Sequence, residues 1–223
     1  MADYHEMWKD LGMDIETHDQ LCEVLPQAFG DVYLSQENRP EGMDYFNFVV
    51  AEIHGVRPAE LIEHQKKGGK VFGTFCVYVP DEIVFAADAI ATGLCGGSQF
   101  WVPGGEKVLP TNTCPLIKAS VGARLDRTCP FFRIADMYVG ETTCDGKKKA
   151  WEILSEDVPV HVMNLPQMKR GKDVAAWAEE IAEFKDKVEE FTGNTVTADK
   201  LAAGIQLINT KRKALQRLYD LRK

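Results

Sequence analysis

The chain has 223 residues, 45% apolar and 27% charged, and its 34 acidic against 26 basic side chains give a net charge of −8. This is the profile of a globular protein of one to two domains with a substantial core, not of a disordered or fibrous chain. The acidic balance excludes a general binder of nucleic acid or anionic membrane, which needs clustered cations.

In chain order, residues 1–40 are polar and weakly periodic, with helical turns expected over Glu6–Leu11 and Asp19–Ala28. Met1–Asp10 lacks an apolar signal core and reads as mature, cytoplasmic sequence. Gln36–Gly42 has the composition of a loop. Tyr45–His54 carries Phe46, Val49, Val50 and Ile53 at helical spacing, and a second helix is expected from Pro58 to Lys67, ahead of Gly68-Gly69. Lys70–Cys76 is rich in apolar β-formers and reads as a buried strand. Pro80-Asp81-Glu82 opens a helix through Ala89, with acids placed in its first turn. Its apolar stretch Ile83–Ala87 is cut by Asp88, and such runs are too short to span a bilayer.

A strand over Ile90–Leu94 is followed by a glycine-rich loop that includes Gly96, Gly97, Gly104 and Gly105. Pro115–Val121 reads as helix, Ala135–Val139 as strand, Gly146–Leu154 as helix and Val158–Met163 as strand. Four strands alternating with helices predict an α/β fold: a Rossmann-like or flavodoxin-like parallel sheet of about four strands with flanking helices. Two long helices close the chain, Val174–Phe191 and Ala198–Arg222, the second with an apolar stripe of Leu201, Ile205, Ile208, Leu215, Leu218 and Leu221. The chain accordingly reads as a helical segment over residues 1–56, an α/β domain over 57–170 and C-terminal helices over 171–223.

Six cysteines stand out: Cys22, Cys76, Cys95, Cys114, Cys129 and Cys144. A disulfide framework belongs to small secreted chains. From Cys76 onward the steps are 19, 19, 15 and 15 residues, with no C-x2-C pair, so zinc-ribbon and ferredoxin patterns fail on spacing. A lone cysteine reads equally well as a small buried hydrophobe. In open parallel sheets, however, ligands bind beyond the carboxyl ends of the strands. Cys76 closes the first strand, Cys95 follows the second, and Cys144 lies in the loop after the third. Cys114 sits just before the helix that opens at Pro115. Distant segments can thus bring three or four thiols to one sheet edge, where helix N-termini offset negative charge. Cys129 falls before a strand and is less well placed, and Cys22 reads as structural.

Other motifs are weak. There is neither a G-x-G-x-x-G nor a G-x4-G-K-[ST]. His5, His18, His54, His64 and His161 form no H-x3-H or H-E-x2-H pair and read as structural or exposed. Lys147-Lys148-Lys149 is either a solvated helix face or a group beside bound anions, and the basic end from Lys211 to Lys223 is either a solvated face or a contact for an acidic partner. Asp81-Glu82 is explained by helix capping, ahead of any role in proton transfer.

Five segments carry a family resemblance: Gly73–Glu82, Gly93–Phe100, Cys114–Lys118, Thr128–Phe132 and Gly140–Lys149. In this order they resemble the 2-hydroxyacyl-CoA dehydratase and benzoyl-CoA reductase family, the branch of double-cubane cluster proteins above all. The resemblance runs from about Arg57 to Leu154 and more loosely to the C-terminus. It implies an oxygen-sensitive, cytoplasmic iron–sulfur protein of anaerobic metabolism, reduced one electron at a time by a separate ATP-hydrolysing iron–sulfur activator.

Two chemistries follow from the resemblance. The double-cubane branch carries an [8Fe–9S] cluster and reduces small molecules, whereas the dehydratases use a [4Fe–4S] cluster with an open iron to dehydrate an acyl-CoA through a ketyl radical. By motif match the resemblance implies Cys76 and Cys114 as cluster ligands, with Cys144 next, and Cys95 and Cys129 as ligands or as residues just outside the ligand set. Family subunits have two similar α/β domains, so the resemblance also implies that this chain corresponds to an N-terminal half. Its C-terminal helices would lead to a second domain, or a homologous chain would supply it in a dimer. A non-catalytic half that docks on a complete partner is the alternative from a different class.

Overall fold

A computed structural model describes residues 4–94 and 96–221. The chain divides into two compact units, one of the residues up to Lys67 with Leu94–Ile134, the other of Gly68–Gly93 with Ala135–Lys223.

The second unit holds the sheet. Strands β1 (Val71–Thr74), β2 (Ile90–Gly93), β3 (Met137–Glu141) and β4 (Val160–Met163) are all parallel, in the order β2-β1-β3-β4. Both faces of β1 and β3 are buried, which is why these strands read as continuous apolar runs instead of alternating ones. The α/β architecture expected from the sequence is therefore the one found. The element after β1 is α1 (Asp81–Ala86), shorter than the sequence suggests. It stops because Asp88 takes a positive φ of 58°, and Asn194 Nδ2 donates to the Ala87 carbonyl at 2.9 Å. After β3 comes α2 (Asp145–Leu154), and after β4 the long α3 (Gly171–Thr192) and α4 (Ala198–Asp220).

One face of the sheet, through Phe72, Met137 and Val139, packs with Ile83 and Val84 of α1 and Phe184 and Val188 of α3. On the alternate face, Phe75 lies edge-on to both Tyr138 and Trp151 of α2. Helices on both faces leave the carboxyl ends of the strands for loops. The stripe on α4 is only partly used: Ile208 is buried, while Ile205, Leu215, Leu218 and Leu221 are exposed. Charge adds to the packing of Ile208, Leu201 and Gly204 in holding α4 to α1. Lys211 pairs with Asp81 at 2.7 Å and Arg212 with Glu82 at 2.5 Å, so the acid pair and the start of the basic end bind each other.

The first unit is helical. It contains α5 (His5–Asp10), α6 (Ile15–Phe29), α7 (Met43–Ala51), α8 (Val56–Lys66), α9 (Val102–Glu106), α10 (Pro115–Leu125) and α11 (Pro130–Ile134). Asp14 caps α6 by accepting the Thr17 N–H at 3.1 Å. The glycine-rich stretch is not all loop: Gly104 and Gly105 lie buried in α9, and a 3₁₀ turn over Gln99–Trp101 precedes it. Nor does Cys129 lead directly into a strand, because α11 intervenes. The expected helix at Tyr45–His54 exists as α7, yet none of its residues is buried. Among the described residues no helix is long and apolar enough to cross a membrane.

Candidate cluster-ligand positions

Cys76 and Cys144 occupy equivalent places on adjacent strands. Cys76 lies two residues beyond β1 and Cys144 three beyond β3, at the same carboxyl edge, and Thr74 pairs with Val139 in register. The Cys76 carbonyl accepts the Val79 N–H at 3.5 Å in the turn that leads to α1, and the thiol is half-buried. Cys144 is exposed, sits at the N-cap of α2 in extended conformation, and its carbonyl accepts the Lys148 N–H at 3.1 Å.

The Cys144 loop is held from below. Glu141, the last residue of β3, has no exposed surface, and its Oε1 accepts from Lys147 and, at 3.3 Å, from Thr143 Oγ1. Lys147 is thus committed to a buried carboxylate, while Lys148 and Lys149 pair on the surface with Asp145 and Glu152. The Trp151 indole N–H donates to the Glu141 carbonyl at 2.9 Å. Gly140 allows this: a Cβ there would lie 2.3 Å from the indole ring.

Cys114, in the helical unit, is exposed at the N-cap of α10, with Pro115 at the first helical position. Its loop is anchored by Lys118, which is 5% exposed and donates to Glu106 Oε1 at 2.6 Å and to the Thr111 carbonyl at 2.7 Å. Gly96 closes in on the same helix at a φ of +53°, where a Cβ would come within 2.8 Å of the Ser120 Cα. Its neighbour Cys95 lies outside the described residues. Cys129 is buried ahead of α11.

Cys76, Cys114 and Cys144 therefore offer thiols in loops or at helix starts, not as core packing. The helix starts at Cys114 and Cys144 turn the positive end of a helix dipole toward negative charge. Within the sheet unit, Cys76 and Cys144 are thiol donors of the kind that ligate iron–sulfur clusters.

The helical unit brings together a group whose members, taken singly from the sequence, read as structural. His18 and Cys22 lie one turn apart on α6, and His54 lies in the turn after α7. His18 Nε2 is 2.9 Å from His54 Nδ1, so one ring donates its N–H to the other, and Cys22 Sγ is 3.7 Å from the His18 ring nitrogens. Burial, with His18 adding to it, pushes His54 down to about 4, while burial lowers His18 and raises the Cys22 thiol. The readable signal was the H-x3-C spacing of His18 and Cys22 on one helix face. The third member is 32 residues further on, beyond any local pattern.

The D-component of 2-hydroxyglutaryl-CoA dehydratase is the family that matches residues 76–223, starting at Cys76 itself. The chain belongs to this family. It is 41% identical over 162 residues to the protein named "Putative dehydratase subunit YjiM" of Escherichia coli, covering 72% of this chain and 42% of that one. A benzoyl-CoA reductase subunit of Thauera aromatica is 28% identical over 159 residues, 69% of this chain and 40% of the relative. The beta subunit of (R)-2-hydroxyglutaryl-CoA dehydratase of Acidaminococcus fermentans is 24% identical over 168 residues, 72% and 43% of the two chains. The chain thus spans about two fifths of the length of the curated relatives it matches.

Proposed function

We propose that this chain is the cluster-binding component of an ATP-coupled, low-potential iron–sulfur enzyme, with Cys76, Cys114 and Cys144 as thiolate ligands. The observation that carries the reading is the placement of Cys76 and Cys144 at the carboxyl edge of neighbouring parallel strands, within the stretch that matches the family. A bound [4Fe–4S] or [8Fe–9S] cluster would supply single electrons at low potential. This chain's residues do the holding. Lys147 and Glu141 fix the Cys144 loop, Lys118 fixes the segment before Cys114, and the two N-caps complement the negative charge of thiolates and sulfides. In this reading residues 57–170 form the cluster-bearing α/β domain, residues 1–56 a helical segment, and residues 171–223 lead to a second domain, in this polypeptide or in a homologous chain of a dimer. Electrons arrive from a separate ATP-hydrolysing iron–sulfur activator in the cytoplasm of an anaerobic cell.

The first reading of the reaction is reduction of a small molecule by the double-cubane type, which rests on Gly140–Lys149 and Cys95-Gly96-Gly97. The second, radical dehydration of a 2-hydroxyacyl-CoA, is favoured by two of the relatives, whose names are those of dehydratase subunits. Anaerobic reconstitution with iron and sulfide tests the shared part: a brown chain is expected, with iron and sulfide both lost in a Cys76→Ser/Cys114→Ser variant. A colourless, iron-free wild-type chain overturns it. Saturable binding of an acyl-CoA separates the two reactions, since only the dehydratase requires it.

A further inference from the structure

We propose that His18, Cys22 and His54 form a binding site for a single divalent cation of borderline softness, with zinc as the representative ion. The site is separate from the proposed cluster ligands. One donor atom from each of the three residues lies within 4.8 Å of the other two, so one ion can reach all of them. Two edges of this triangle come close to those around a tetrahedral ion, and the third, from His54 to Cys22, is no longer than 4.8 Å. Zinc bonds of about 2.0–2.1 Å to nitrogen and about 2.3 Å to sulfur imply edges of roughly 3.3 Å between two nitrogens and roughly 3.6 Å between nitrogen and sulfur. The edges found are 2.9 Å for His18 Nε2 to His54 Nδ1 and 3.7 Å for Cys22 Sγ to His18. The nitrogen pair need open by only a few tenths of an ångström.

The surroundings hold the donors in place. His18 and Cys22 are four residues apart, so α6 presents them on one face. Trp8 is buried, donates its indole N–H to the His54 carbonyl at 2.8 Å, and lies edge-on to His18 with ring centroids 4.3 Å apart. The rings of His18 and His54 stack at 24°, and Phe131 lies edge-on to His54. His18 has no exposed surface. A metal bound here would tie α6 to the turn after α7, with its fourth position left to water, as in three-ligand zinc sites. Binding releases one proton, from Cys22 Sγ. The ring proton shared by the histidines moves to the other nitrogen of its own imidazole.

The test is a cobalt titration of the chelator-treated chain, followed by zinc displacement. To set aside the proposed cluster ligands, it is repeated in a Cys76→Ser/Cys114→Ser/Cys144→Ser background. One Co²⁺ per chain is expected in both proteins, with a thiolate-to-cobalt charge-transfer band and tetrahedral d–d absorption, both abolished by one equivalent of Zn²⁺. Adding Cys22→Ser should remove the charge-transfer band, and His54→Gln should weaken zinc binding at least tenfold while sparing the band at saturation. Metal-free circular dichroism confirms that each variant folds, and if Cys22→Ser does not, His54→Gln carries the test. The assignment is overturned if the band disappears in the triple-serine background, persists in Cys22→Ser, or never forms.

Discussion

At the scale of single residues, the most consequential pair is Lys147 and Glu141. The Glu141 carboxylate has no exposed surface, its Oε2 is enclosed with no hydrogen-bond partner among the described residues, and Lys147 supplies the compensating charge. Removing one member of a buried pair strands the other, which costs about 3–5 kcal/mol, whereas replacing both with groups of similar shape is close to neutral. Lys147→Met is therefore expected to lower stability by about that amount in urea unfolding, and Lys147→Met/Glu141→Gln to recover most of it. His161 on β4 gives a different signature. Burial holds its imidazole below the usual histidine value, with Glu180 raising it and Lys187 lowering it, and its Nε2 is enclosed with no hydrogen-bond partner among the described residues. The unfolded chain takes up this proton near pH 6.5, before the folded chain does. The stabilisation is thus complete above that pH and is lost as pH falls below it. Urea midpoints at pH 7.5 and 5.5 should diverge more for the wild type than for His161→Phe. Parallel shifts in the two proteins would show that burial is not what keeps this ring neutral.

At the scale of elements, β3 and α2 meet so closely that the strand has no room for a methyl group. Gly140→Ala would drive a Cβ to 2.3 Å from the Trp151 ring, and overpacking of this kind costs about 1–3 kcal/mol. Because the indole N–H also ties down the Glu141 carbonyl, displacing Trp151 should loosen the loop that carries Cys144. Faster alkylation of Cys144 in Gly140→Ala than in wild type would report it, and an unchanged rate would uncouple the tryptophan from the loop. These elements were legible in the sequence because β-branched runs and helix starts such as Pro115 are local signals. Less legible was whatever depends on a distant neighbour. The helical spacing of α7 was correct, but periodicity cannot tell whether a partner covers the face. The capping explanation for Asp81 and Glu82 omitted Lys211 and Arg212, 130 residues further on. Cys76 and Cys144 could be placed from element order, since the topology of a parallel sheet dictates where its loops go, whereas Cys114 lies in the helical unit, beyond the reach of that rule. The histidine pair, brought together by helix packing, could not.

At the scale of the whole molecule, the helical unit exposes a run of large apolar side chains. On α7, Tyr45 is 69% exposed and Phe48 55%, and Phe46, Val49, Val50 and Ile53 are also exposed. Val32, Tyr33 and Leu34 in the preceding turn are exposed as well. Scattered exposed apolar residues are ordinary, but a contiguous set promotes association. Since none of these α7 side chains is buried, they add little to the chain's own stability. Charge should therefore be tolerated there, unlike at Ile208 of α4, where truncation to alanine removes buried surface and costs about 2–5 kcal/mol. Phe46→Glu/Val50→Glu is expected to leave the unfolding free energy within about 0.5 kcal/mol of wild type, the usual range for surface changes. The same variant should raise solubility and lower the mass-averaged size seen in light scattering as concentration increases. A loss of several kcal/mol would instead mean that the isolated chain folds this face against itself, and an unchanged size would mean that association does not run through α7.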